Sequence, residues 1–187
     1  MNGCLLFATK YGSTERVSHW IAEGIRKHQT EVRRITQPVP PDVNFMILGS
    51  PIFIGKPMED LYDFIEYHKD ELFKIPFFLF ITSWAQSTRY SNACQEFLNM
   101  ILNRISPSVP ILTRSLSGKL ILEELRNRDR KALKRLLHRV DARQPDFRSE
   151  NIQWGDRRSQ AECNLFGEDI SRCLDALEQP DGECTNG

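Results

Sequence analysis

The sequence predicts an α/β fold: an open parallel sheet covered on both faces by helices. Three observations predict it. CLLFAT, NFMILGS and PFFLFITS are short, nearly unbroken apolar runs, the pattern of strands buried on both sides. Amphipathic stretches with apolar residues three and four apart separate the strand-like runs. Alternation of the two kinds fits strands joined by right-handed crossovers.

CLLFAT is the first strand, and Cys4 packs within it as a small apolar side chain. Val17, Ile21, Ala22 and Ile25 then share one helical face, with Trp20 and Gly24 beside it. TEVRRI alternates and forms the second strand, at an edge of the sheet. QPVPPDV is a turn, because proline cannot continue a ladder. NFMILGS is the third strand, and Met58, Leu61, Tyr62 and Ile65 mark the next helix. PFFLFITS is the fourth strand. Phe97, Leu98, Ile101 and Leu102 mark another helix, and PSVPILTRSL supplies a fifth strand. A last helix runs from about Ser159 to Leu177. Residues 1–178 thus read as one domain, with 179–187 as a flexible tail.

The chain has 187 residues, equal numbers of acidic and basic side chains, and a pI near 6.9. That balance argues against nucleic-acid binding, which wants a basic excess. It also differs from the acidic balance of a small carrier that docks on basic partners. No apolar run approaches the ~20 residues that span a bilayer, and no cationic segment precedes an apolar one at the start. The five cysteines include no C-x-x-C pair and read as free thiols of a reducing compartment, so a cytoplasmic location is expected.

One segment interrupts the rhythm, a basic insertion around residues 114–150. Arg126, Arg128, Arg130 and Lys131 crowd its middle, followed by Lys134, Arg135, Arg139 and Arg143. Within 126–143, Leu133, Leu136, Leu137 and Val140 make an i, i+3, i+4, i+7 stripe. Such a helix either covers the sheet with its charges in water, or rests on an anionic membrane surface at the inner face of the membrane, or receives an acidic substrate.

In open α/β sheets ligands sit beyond the carboxyl ends of the strands. After the first strand comes Thr9-Lys10-Tyr11-Gly12-Ser13-Thr14, opening a helix. Helix-start N–H groups attract anions, three hydroxyls add donors, and Gly12 lets the backbone approach. This chemistry suits a terminal phosphate ester. The plainer alternative is that Ser13 or Thr14 caps the helix. Neither G-x-x-x-x-G-K-[ST] nor G-x-G-x-x-G is present. The third strand delivers Ser50, Pro51, Ile52, Phe53, Ile54 and Gly55 to the same edge. The fourth delivers Thr82, Ser83, Trp84, Ala85, Gln86 and Tyr90. Aromatic and aliphatic walls with a few backbone hydrogen bonds suit a flat heteroaromatic ring, although Phe53 or Trp84 taken alone reads more readily as core.

These residues resemble the flavodoxin superfamily. Its opening signature is two aliphatics, an aromatic, any residue, Ser/Thr, two spacers, a small residue, a spacer and Thr. Leu5 to Thr14 satisfies every position. The resemblance implies a five-stranded parallel sheet in the order 2-1-3-4-5. It also implies an FMN cofactor, with its phosphate at Thr9–Thr14 and its isoalloxazine between Ser50–Gly55 and Thr82–Tyr90. Within the superfamily the chain is most similar to the menaquinone-dependent protoporphyrinogen IX dehydrogenase branch. ILGSPIFIGKPMEDLYDFIEYH, the basic insertion and NIQWGD carry that similarity. Where the branch often has an Arg-Asp pair, this chain has Lys10-Tyr11.

The branch implies a quinone-linked flavoprotein oxidoreductase; the alternative is a flavodoxin-type electron carrier serving a protein redox partner. A third reading keeps the fold without FMN, and the phosphate turn speaks against it. Backbone groups at Ile54-Gly55 are placed to hydrogen-bond the flavin near N5. Short-chain flavodoxins carry letters like Trp154-Gly155-Asp156 in a flavin loop. Here the triplet lies far along the chain from the first three strands, and Asp156 reads as a helix-start residue. None of His19, His28, His68 and His138 stands out as a proton-transfer group.

Overall fold

The computed structural model describes every residue except Phe73, Arg89, 144–151 and 180–187, so all of the expected tail beyond Gln179 lies outside the described residues. In chain order, β1 (Asn2–Phe7), α1 (Ser13–Gly24), β2 (Gln29–Arg34) and β3 (Phe45–Phe53) come first. The two-residue β4 (Lys56–Pro57), α2 (Glu59–Leu72), β5 (Phe77–Ser83), α3 (Ala93–Ile105) and β6 (Leu112–Ser117) follow. Then come β7 (Lys119–Leu120), α4 (Asn127–Arg143), β8 (Gly155–Asp156) and α5 (Gln160–Glu178).

The main sheet runs β2-β1-β3-β5-β6, and every pairing along that path is parallel. Leaving out β4, which only folds back on the end of β3, this is the expected order 2-1-3-4-5. The strands look continuous in sequence because each side of the sheet is a core. Cys4 and Leu6 face one core with Leu48, Leu79 and Ile81, closed by Leu61 and Ile65 of α2 and Leu98 and Ile101 of α3. Leu5 and Phe7 face the other with Ile47, Phe78 and Phe80, closed by Ile21 of α1 and Phe166 of α5. Burial pushes the Cys4 thiol up to about 11 and the Cys163 thiol up to about 12, so both stay protonated packing groups.

Two local differences from the sequence reading bear on the site. First, β3 runs on through Pro51-Ile52-Phe53 and turns at Ile54-Gly55 to pair Phe53 with Lys56. Both turn residues have positive φ, 51° and 79°, as a two-residue type I′ hairpin requires. For a β-branched residue such as Ile54 that conformation is strained by about 1–3 kcal/mol.

Second, Asp156 does not start the last helix. Gly155-Asp156 pairs antiparallel with Lys119-Leu120, and Asp156 carries an ion pair with Arg158, which holds its carboxyl below the usual range. Ser159 caps α5 instead, its hydroxyl accepting the Glu162 N–H at 3.3 Å. The small β7–β8 ribbon thus brackets α4, and the segment leaves and rejoins the sheet at nearly one place.

Candidate functional site

The carboxyl ends of β1, β3 and β5 bring the three expected loops together. At the first, Gly12 has φ 75°, and its N–H donates to Thr9 Oγ1 at 3.0 Å. This sharp turn starts α1 at Ser13, and no side chain caps the helix. Ser13 and Thr14 therefore have another use. The Ser13 hydroxyl accepts the Lys119 N–H at 3.2 Å, which leaves its own proton to donate. Thr14 is fully buried, with its hydroxyl 3.0 Å from that of Thr82. Together with Thr9, Gly118 and Lys119 these residues form the polar side of a small chamber of ≈ 80 Å³, whose other walls are mainly apolar. An uncapped helix start beside three hydroxyls is a donor set for an anion.

Ile52, Phe53 and Trp84 are walls shared with a second, mainly apolar chamber of ≈ 490 Å³. The Ile54-Gly55 turn, Ala85 and Tyr90 reach its wall, and Phe97 of α3 lines it further in. Its roof is α4: Leu133, Leu136, Leu137 and Val140 line it. A Cβ added at Gly55 would lie 3.6 Å from Leu136, so the turn and the roof are in near contact. Trp84 also meets Trp154 at 5.4 Å between ring centroids, with interplanar angle 35°. The Arg157 guanidinium stands 5.7 Å over Trp84. The Trp84 indole Nε1 is buried without a hydrogen-bond partner.

Lys10 and Tyr11 line the smaller chamber too, and their polar ends are bonded to Asp129 of α4. Lys10 Nζ donates to Asp129 Oδ1 at 2.9 Å and lies 4.0 Å from the Phe53 ring centroid. The Tyr11 hydroxyl donates to Asp129 Oδ2 and accepts the Arg126 N–H at 3.2 Å. The Tyr11 hydrogen bond, seconded by Lys10, holds the Asp129 carboxyl below the usual carboxylate range. Burial, then Asp129, pushes the Tyr11 phenol up.

Three expected residues, Gly12, Ser50 and Gln86, line neither chamber. The Ser50 hydroxyl is fully buried, donating to the Pro51 carbonyl at 3.1 Å and accepting the Met58 N–H at 3.0 Å. It closes the β3–β4 hairpin. Gln86 lies in the short 3-10 turn Trp84–Ser87, which the Ser83 hydroxyl caps. Pro51 lines only the smaller chamber, and Gly12 shapes the turn without reaching either.

Sequence reasoning missed Gly118, Lys119, Asp129 and Trp154. Trp154 had been set far from the strand ends by its place in the chain, yet the β7–β8 pairing carries it onto Trp84. Asp129 carried a usable signal, an acid among bases one turn before the Leu133–Val140 stripe and in phase with it.

No described helix is long and apolar enough to cross a membrane. A family model described as a flavodoxin domain matches residues 4–146. No curated protein matches the chain. Among solved structures, a flavodoxin from the domain Archaea is similar at TM-score 0.53 and 14% identity, over 94% of this chain and 99% of that one. The flavodiiron core of Flv1 from Synechocystis sp. PCC6803 is similar at TM-score 0.53 and 14% identity, over 95% of this chain and 36% of that one. Both likenesses are of fold.

Proposed function

The chain belongs to the flavodoxin-domain family, and from that premise we propose that it is an FMN-dependent oxidoreductase. One observation supports the reading above others: a small chamber holding the hydroxyls of the first turn shares Phe53 and Trp84 as walls with a larger, mainly apolar one. That is the order of parts in FMN, a charged ester followed by a flat ring. The residues fit the group. Thr9, Ser13 and Thr14, with the first N–H groups of α1, would hold the phosphate. Phe53 and Trp84 would flank the ring, and Ile54-Gly55 would present backbone groups to one edge. Bound there, FMN supplies hydride or one-electron transfer. The chain's own part is to orient the ring and to exclude water with the α4 roof.

Following the branch resemblance, the substrate is protoporphyrinogen IX and the acceptor a quinone. The apolar chamber would receive a bulky ring, and the exposed bases of α4 would rest on an anionic membrane surface where a lipid-soluble acceptor resides. The flavodoxin-type carrier is kept as a second reading because no histidine lines either chamber among the described residues. Absorbance of the purified protein and identification of any released flavin test cofactor binding. Anaerobic turnover with protoporphyrinogen IX and menadione tests the enzyme. FMN without turnover, but with fast electron exchange, leaves the carrier. A colourless protein that cannot be reconstituted with FMN overturns both.

A further inference from the structure

We propose that Asp129 is the positioning residue that fixes α4 as the roof of the apolar chamber. Among the described residues of α4 only Asp129 and Leu133 are buried, and Asp129 is 6% exposed. No described helix or strand packs closely along α4. Its outer face carries Lys131, Lys134, Arg135, His138 and Arg139 in water, where like charges repel. The apolar stripe that faces inward looks onto the chamber rather than into a filled core. Leu133 and the Leu136–Gly55 approach are its apolar contacts, and a polar contact adds to them in setting the helix in place.

The Asp129 carboxylate is the contact with the right geometry. A buried carboxylate is tolerated only when paired and hydrogen-bonded. Here Lys10 supplies the charge and Tyr11 the second donor. Tyr11 also accepts from the Arg126 N–H just ahead of α4, so two points of the segment are tied to one phenol. Lys10 in turn lies over Phe53, a wall shared by both chambers. The chain of contacts Asp129–Lys10–Phe53 thus sets the spacing of roof and wall. The chamber's use for a ring rests on the FMN reading, but the clasp itself does not.

The full chain, with and without added FMN, tests this in Asp129→Ala, Asp129→Asn and Tyr11→Phe. Trypsin reports the clasp, because Lys131, Lys134, Arg135 and Arg139 are cleavage points along α4. Cleavage there, followed by mass spectrometry, should be roughly tenfold faster in Asp129→Ala, as expected for losing one hydrogen-bonded charge. Asp129→Asn should recover part of the protection, since its amide oxygen still accepts from Tyr11. Nile red, a neutral apolar dye, should bind roughly tenfold more weakly to Asp129→Ala, and Leu136→Arg should remove its binding.

If Asp129→Ala fails to fold, Tyr11→Phe breaks the same bond from the other side, with a smaller effect in the same direction. Cleavage of α4 within about twofold of the unmodified rate in the folded variants overturns the proposal. So does unchanged dye affinity in them, or dye binding indifferent to Leu136→Arg. Failure to bind FMN would sink the cofactor reading while leaving the cleavage result to stand or fall alone.

Discussion

Removing both hydroxyls of the first turn, in Ser13→Ala combined with Thr14→Ala, probes the phosphate site most directly. Each hydroxyl keeps a donor for an anion only if its internal partner leaves the proton free. Ser13 does so, because it accepts from Lys119. Thr14 and Thr82 share one hydrogen bond, so one proton of that pair remains. A hydrogen bond to a charged group contributes about 1.5–3 kcal/mol, or roughly ten- to a hundredfold in affinity. The double variant should therefore weaken FMN by at least roughly a hundredfold if both donors serve the phosphate.

Thr14→Ala also strands the buried Thr82 hydroxyl, at about 1–3 kcal/mol of stability. Thr14→Ser, which keeps the donor, is the control for that effect. The assay is quenching of flavin fluorescence, run in parallel with FMN and riboflavin. Riboflavin has the ring and the ribityl chain but no phosphate, so its affinity should hardly change. Equal losses for both flavins, or no loss for FMN, would refute the assignment of the turn to the phosphate.

Other consequences are measurable. Trp154→Ala strips one partner from Trp84, and stacking of about 0.5–1.5 kcal/mol is lost. FMN affinity should fall by up to roughly tenfold, with Trp154→Phe intermediate; an unchanged titration removes Trp154 from the site. Replacing Arg130, Lys131, Lys134 and Arg135 by Gln should reduce flotation with phosphatidylserine vesicles, each base near such a surface contributing about 1 kcal/mol. An unmodified protein that does not float excludes the membrane.

The Asp129 contact also predicts a pH limit. Its carboxyl, set among Tyr11, Lys10 and Arg126, has a depressed folded pKa. The stability it contributes is therefore complete above the ordinary carboxylate value and is lost as pH falls through the depressed one. Protection of α4, read by an acid-active protease, should hold down to about pH 4 and fail below it. In Asp129→Asn that acid limb should be absent.

The sheet was legible because its central strands β1, β3 and β5 place residues in both cores, and unbroken apolar runs such as PFFLFITS have few other uses. The first turn was legible for a similar reason, since a glycine at φ 75° among hydroxyls admits few alternatives. Ser50 shows where the letters mislead. A serine at a strand end looks like a ligand donor, but a two-residue turn brings the Met58 N–H back to it, and the hydroxyl is consumed in the hairpin. That turn hid because Ile54 is a residue that sequence statistics place at negative φ. Asp156 and Ser159 show the reverse case: Ser159-Gln160-Ala161-Glu162 has the spacing of a capping box, and it outranked the acid three residues earlier.

What no local pattern could reveal is the clasp between Lys10, Tyr11 and Asp129, separated by more than a hundred residues of chain. It changes how the family's shared turn is used. Two of the six turn residues have their polar ends bonded to a helix, while the hydroxyls of Thr9, Ser13 and Thr14 lie on the smaller chamber. A carrier needs its ring within reach of another protein's surface, and an apolar roof over the Gly55 turn works against that reach. A dehydrogenase needs apolar space beside the ring, which is what the same roof covers on one side. The placement of α4 is therefore the physical basis for preferring the enzyme, and variants that free α4 should shift the balance toward exchange with large partners.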